Sequence, residues 1–185
     1  MANTTWESFS VTQPQHTSAD CFVCGVENES GLRARFFELE NGELAARFTV
    51  LEIHNGYPGR AHGGVSGALL DEVIGRAIIL LEPEVWGVTV EFTVRFHKPI
   101  PTVTPLTARG RVTENGGRRF TGAGELYLPD GVVAATATGI YIKLPLDRIV
   151  DTSDADRHSL LEAGWRRRSF PDDPREFRFP NPTSR

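Results

Sequence analysis

Asp71 and Glu72 stand in a stretch that is otherwise almost wholly small or apolar: Ala61-His62-Gly63-Gly64-Val65-Ser66-Gly67-Ala68-Leu69-Leu70-Asp71-Glu72. An ionised carboxylate is costly to bury unless it is paired or used. The glycines ahead of it suggest a use. A glycine turn that runs into a helix presents backbone N–H groups already aimed at an incoming charge, and the helix dipole adds to them. Such donors suit the oxyanion that forms when a carbonyl is attacked. Gly63 and Gly64 are therefore candidate oxyanion donors through the backbone. His62 is a candidate for orienting the turn or bonding the substrate. Asp71 is the candidate base that deprotonates an attacking water, or the nucleophile that forms a mixed anhydride. The residues leave both roles open.

These groups need a rigid support. The apolar run from Gly63 through Leu81, stopped before Pro83, predicts a helix that is greasy on nearly every side and hence buried on most of them. Gly64, Gly67, Asp71 and Gly75 follow the i, i+3, i+7, i+11 pattern and share one face. Each interior glycine costs about 1 kcal/mol relative to alanine, so the stripe points to close approach by another backbone or a ligand. Glu72 sits about 100° round from Asp71. It is a second-choice substrate-binding carboxylate or an ion-pair partner.

Around the helix the pattern has period two. Leu32–Leu39 and Glu43–Leu51 read as strands joined at Asn41-Gly42, a type I′ turn signal. After Pro83, residues Val88, Val90, Phe92, Val94 and Phe96 face one way, and Thr89, Glu91, Thr93, Arg95 and His97 the other. Leu106–Glu114, Arg118–Leu128 and Val132–Leu144 complete four strands connected by tight turns. The order is β-β-α-β-β-β-β, an α+β layer architecture with a six-stranded antiparallel sheet around one long central helix.

The His62-Gly63-Gly64 turn, the Asp nine residues after His62, and the strand ending Lys98-Pro99-Ile100 together resemble the hotdog-fold thioesterases of the phenylacetate-pathway (PaaI) type. The resemblance covers roughly residues 20–144. It implies the hotdog fold and an acyl-CoA thioesterase acting as a homodimer or dimer of dimers, with Asp71 catalytic and Gly63 the better oxyanion donor of the pair. Thr89 matches the family's Ser or Thr that helps place the water. In hotdog dimers that residue comes from the other subunit relative to the Asp, or from close to the shared interface. Some relatives carry an Asn six residues before the His; here Gly56 stands there and Asn55 lies one residue earlier. Asn55 is the candidate for that polarising role. Coenzyme A carries phosphates, so Arg60, Lys98, Arg118 and Arg119 are candidate contacts. The resemblance implies no cofactor and no metal. An enoyl-CoA hydratase-like enzyme and a non-catalytic acyl-CoA-binding protein are the alternatives. The motif spacing does not favour the first, and the second usually comes with a DNA-binding helix pair, which is not visible here.

The chain divides into an arm over 1–20, a domain over 21–145 and an extension over 146–185. The arm is polar and reads as loose, with Phe9 and Val11 hinting at a short extended piece. Cys21 and Cys24 are the only cysteines. Four zinc ligands are not visible around them, even with His16, and no strand–helix frame for a redox pair surrounds them. A tight turn with two small buried thiols is the expectation. In the extension, a short helix from Thr152 or Ser153 to Ala163, with Leu160, Leu161 and Trp165 as contacts, is followed by Arg166-Arg167-Arg168 and a Pro- and Arg-rich tail read as docked on a sheet edge or subunit interface. The net charge of −4 over 185 residues argues against a general nucleic-acid binder. Neither a signal peptide nor an apolar run long enough to cross a membrane is evident, so a cytoplasmic location is expected.

Overall fold

The computed structural model describes residues 5–149 and 166–181. In chain order the elements are β1 (Trp6–Pro14), β2 (His16–Thr17), β3 (Arg35–Leu39), β4 (Leu44–Thr49), β5 (Asn55–Tyr57), β6 (Arg60–Ala61), α1 (Gly63–Gly75), β7 (Trp86–Phe96), β8 (Pro105–Asn115), β9 (Arg119–Tyr127), β10 (Val133–Leu144), β11 (Arg166–Arg167) and β12 (Glu176–Pro180). Eight strands form one sheet in the order β12-β1-β3-β4-β8-β9-β10-β7. Its neighbours pair antiparallel throughout. The expected six strands are present, and two more extend the β3 edge.

Both additions come from outside the central pattern. The arm expected to be loose forms β1, bonded to β3 on one side and β12 on the other. Its inward positions are too few and too interrupted by polar residues to show a period. The docked tail is β12, where Phe177 and Phe179 alternate with exposed Glu176 and Arg178. Phe37, Leu39, Ala45, Tyr127, Phe177 and Phe179 make a second, smaller core beneath this edge. The helix expected over 152–163 lies outside the described residues.

The main core is α1 laid across the sheet. Leu69, Leu70, Val73 and Ile74 are fully buried. The approach is close enough to exclude side chains from the sheet beneath. A Cβ on Gly110 would lie 2.5 Å from the Val73 carbonyl oxygen, and one on Gly122 would lie 2.4 Å from an Ile74 methyl. The helix is regular only to Gly75; Arg76–Leu80 tighten into a 3₁₀ turn before Pro83. The β3–β4 turn also differs from expectation. Gly42 has φ +79° but Asn41 is not in the positive region, so the turn is not type I′. No helix among the described residues is long and apolar enough to cross a membrane.

Phe179 is 1% exposed and packs on Tyr127 with ring centroids 5.2 Å apart, while Arg109 stacks on its face at 5.0 Å. We expect Phe179→Ala to lower the unfolding free energy by about 3–5 kcal/mol in urea titrations. An unchanged midpoint would mean that β12 is an accessory to the fold.

Candidate active site

The start of α1 is built by His62. Its backbone is extended, and its Nδ1 accepts the Gly64 N–H at 3.0 Å. Its carbonyl accepts the Val65 N–H at 3.0 Å. A ring nitrogen that accepts carries no proton, so in this cap the donor side of the imidazole is Nε2. The cap separates the two glycine candidates. The Gly64 N–H is occupied, whereas the Gly63 N–H has no acceptor among the described residues. Gly56 lies under the imidazole; a Cβ there would sit 3.0 Å from His62 Cα. That contact leaves little room for a side chain at Gly56.

Asp71 lies two turns along the same helix. Its Oδ1 accepts the Thr89 hydroxyl at 2.8 Å and the Tyr141 hydroxyl at 3.0 Å. Oδ2 has no protein hydrogen bond among the described residues. Burial pushes the Asp71 carboxyl above the ordinary carboxylate value, the two hydroxyls pull it back, and the neighbouring Glu72 charge adds to the rise. Tyr141 is pushed up as well, first by burial and then by Asp71, so it remains a donor. The ring of Tyr141 is fixed by stacking on Phe120 at 4.9 Å.

Thr89 reaches Asp71 because β7 is bulged. On β10, Ile140 pairs with Glu91 and the next residue, Tyr141, pairs with Thr89, so Val90 has no partner. Strict alternation would put Thr89 on the face opposite Phe92. The extra residue re-aims it, and Thr89, Phe92, Val94 and Phe96 line one groove together. Thr89 and Asp71 thus meet within a single chain.

Asp71 and Thr89 border two cavities. One, of about 470 Å³, is an open groove along α1 and β7 that runs back to Gly63, Gly64 and Phe96. The other, of about 160 Å³, is walled by Glu72, Arg76, Trp86 and Tyr141. Glu72 is held by Arg76 at 2.6 Å. It is an ion-pair partner that faces the smaller cavity, not the groove. Asn55 and Arg60 are exposed on the β5–β6 hairpin and do not line the groove. Lys98 lines an adjoining cleft that shares Gly63 and Phe96 with it. Arg118 and Arg119 lie at the β8–β9 turn, away from these walls. Sequence reasoning missed Tyr141. The available signal was a lone tyrosine continuing the inward Ala135, Ala137, Gly139 register of β10.

Residues 58–135 match the family model of the thioesterase superfamily. The chain carries a thioesterase-superfamily hotdog domain. A thioesterase-superfamily protein of known crystal structure is 33% identical over 68% of this chain and 60% of its own length, with a TM-score of 0.62. This chain therefore spans less than two thirds of that protein. A hypothetical thioesterase from Streptococcus pneumoniae, crystallised with coenzyme A, is 21% identical over 60% of this chain and 89% of its own, with a TM-score of 0.55. The PaaI protein from the phenylacetic acid degradation operon of E. coli is 19% identical over 61% of this chain and 80% of its own, with a TM-score of 0.56. The last two likenesses show the fold. No curated protein matches the sequence.

The raised Asp71 value has a sign that stability measurements can read. A carboxyl whose folded pKa exceeds its unfolded one is disfavoured in its charged form by the native state. That penalty is absent in acid, where both states are protonated, and is complete above the folded value. Asp71→Asn keeps an acceptor oxygen and discards the charge. Its melting temperature at pH 7 should equal or exceed that of the parent, with the difference closing toward about pH 4. A lower value at pH 7 would show that the ionised carboxylate stabilises the fold.

Proposed function

We propose that the protein is an acyl-CoA thioesterase of the PaaI type, in which Asp71 activates the water that attacks the thioester carbonyl. The observation that carries this reading is the half-buried Asp71 between two cavities, with one oxygen fixed by Thr89 and Tyr141 and the other without a hydrogen bond among the described residues. A raised pKa suits a base working near neutrality. The smaller cavity has room for several waters on the side away from the groove. The groove is walled by Phe92, Val94, Phe96 and Ala68, which suits an apolar acyl or pantetheine chain. Lys98 at the adjoining cleft suits a phosphate of coenzyme A. The coenzyme bound to the Streptococcus pneumoniae protein is in keeping with that ligand class.

The oxyanion donor has to come from a second copy. Gly63 and Asp71 are eight residues apart on one helix, which separates them by about 12 Å along its axis. One carbonyl cannot touch both. The outer edge of β7, unpaired among the described residues, offers the means of supplying the second copy. An antiparallel two-fold pairing of β7 with itself, centred near Phe92, brings the Thr89 end of one groove beside the Phe96 and Gly63 end of the other. The unoccupied Gly63 N–H of one copy then faces the carbonyl attacked beside Asp71 of its neighbour.

The experiment is thiol release from a panel of short, medium, long and aromatic acyl-CoAs. Asp71→Asn should lose at least about a hundredfold in kcat. Full activity in that variant removes the proposal, and tight acyl-CoA binding without turnover by the parent favours a binding protein. Tyr141→Phe deletes a bond that favours the ionised carboxylate, so the acid limb of its kcat/KM profile should move to higher pH. Light scattering should give a dimer or a multiple of one, and Val90→Lys should weaken it and lower activity together. A fully active monomer would refute the shared site.

A further inference from the structure

Cys21-Phe22-Val23-Cys24-Gly25 plays no part in the reading above, and its geometry is not that of two inert thiols. The sulfurs of Cys21 and Cys24 and a carboxylate oxygen of Glu72 lie within 4.8 Å of one another. The backbone N–H groups of Val23 and Cys24 donate to Cys21 Sγ at 3.3 and 3.4 Å. Arg76 Nη2 donates to Cys24 Sγ at 3.1 Å. We propose that Cys21 and Cys24 form an oxidisable dithiol, a modification site at which a hydroperoxide oxidises Cys21 and Cys24 resolves the product into an intramolecular disulfide.

The donors explain the assignment. Amide and guanidinium N–H groups aimed at sulfur favour a thiolate over a thiol. No helix follows the pair, so these bonds stand in for the helix dipole that assists such a thiolate elsewhere. The Cys21 thiol is pushed down to about 6, chiefly by the hydrogen bond from the Cys24 thiol, and Cys24 is pushed up by the same bond. The pair therefore keeps one proton at neutral pH. Exposure divides the roles: Cys21 is partly exposed and Cys24 is fully buried behind it. The buried Arg76 also decides against a cation. It already neutralises Glu72 at 2.6 Å and holds the His16 carbonyl at 2.8 Å, so a metal ion would have to sit beside a guanidinium.

The chemistry closes on itself. Cys21 thiolate attacks the peroxide, an S–O bond forms, the O–O bond breaks, and the leaving oxygen departs as water or alcohol with a proton from solvent. Cys24 gives up its proton and attacks the Cys21 sulfur; an S–S bond forms and the hydroxyl leaves as water. Two thiols are oxidised by two electrons and one peroxide is reduced.

Reduced protein treated with stoichiometric hydrogen peroxide should lose both free thiols and two hydrogens by intact mass, both restored by dithiothreitol. Cys24→Ser should stop at a sulfenic acid on Cys21 that dimedone traps, and Cys21→Ser should yield no adduct. Persistence of both thiols, or a dimedone adduct only on Cys24, overturns the proposal. So does protein purified without chelator that holds one zinc per chain with both thiols protected. None of these readouts uses acyl-CoA turnover, so the proposal stands or falls apart from the thioesterase reading.

Discussion

A single helix packed backbone-to-backbone on the sheet is the constraint from which the rest follows. The carbonyl of Val73 lies where a side chain on Gly110 would have to be, and Ile74 fills the space above Gly122. That proximity buries Leu69, Leu70, Val73 and Ile74 on one side and fixes how far Asp71, on a flank, sits from water. A helix held further off the sheet would leave Asp71 solvated, with an ordinary pKa and beyond the reach of Tyr141. The chemistry of the carboxylate is thus set by the size of residues on strands that never touch it.

The same packing explains how three elements hold one oxygen. Thr89 and Tyr141 are cross-strand partners on β7 and β10, and the bulge at Val90 is what aligns them. Two hydroxyls on Oδ1 stabilise the ionised form while burial opposes it, so the group stays titratable instead of being driven wholly to one state. Arg76, five residues on, does not join this set. It turns to Glu72 and to Cys24, with Phe36 and Trp86 against its face. The helix therefore separates its two adjacent carboxylates: Glu72 is neutralised by an arginine, and Asp71 is left to hydroxyls.

Much of this was legible in the sequence because it rests on short-range pattern. The glycine turn, the apolar helix and the alternating strands each carry their period within a dozen residues, and the nine-residue spacing from His62 to Asp71 survives in the folded chain. What was not legible depends on register. Val88-Thr89-Val90-Glu91-Phe92 reads as an unbroken alternation, and nothing in it marks Val90 as the residue that β10 skips. Tyr141 is distant in sequence from Asp71 and meets it only through strand pairing. The exclusion of Gly64 required seeing His62 Nδ1 turn back on its own helix. Of strand β1 only a short extended piece at Phe9 and Val11 was legible, because an added edge strand with few buried positions leaves no clear period.

The two edges of the sheet are treated differently, and the difference bears on the site. At the β3 edge the chain adds β1 and then the short β12, whose outward residues are Glu176 and Arg178. A short charged edge of this kind discourages further pairing. At the other edge β7 runs for eleven residues with no strand paired to its outer side among the described residues. Val90 is 60% exposed and Phe96 57% exposed along that strand. Among the described residues, β1 and β12 cover one edge and the longer, more apolar edge stays bare. The bare edge is also one wall of the groove, and the bulge that exposes Val90 is the one that turns Thr89 toward Asp71. Straightening β7 to make it a safer edge would take Thr89 away from the carboxylate. The aggregation hazard and the carboxylate's hydrogen bond therefore share one cause, and the proposed pairing with a second copy would relieve the hazard while keeping the bond.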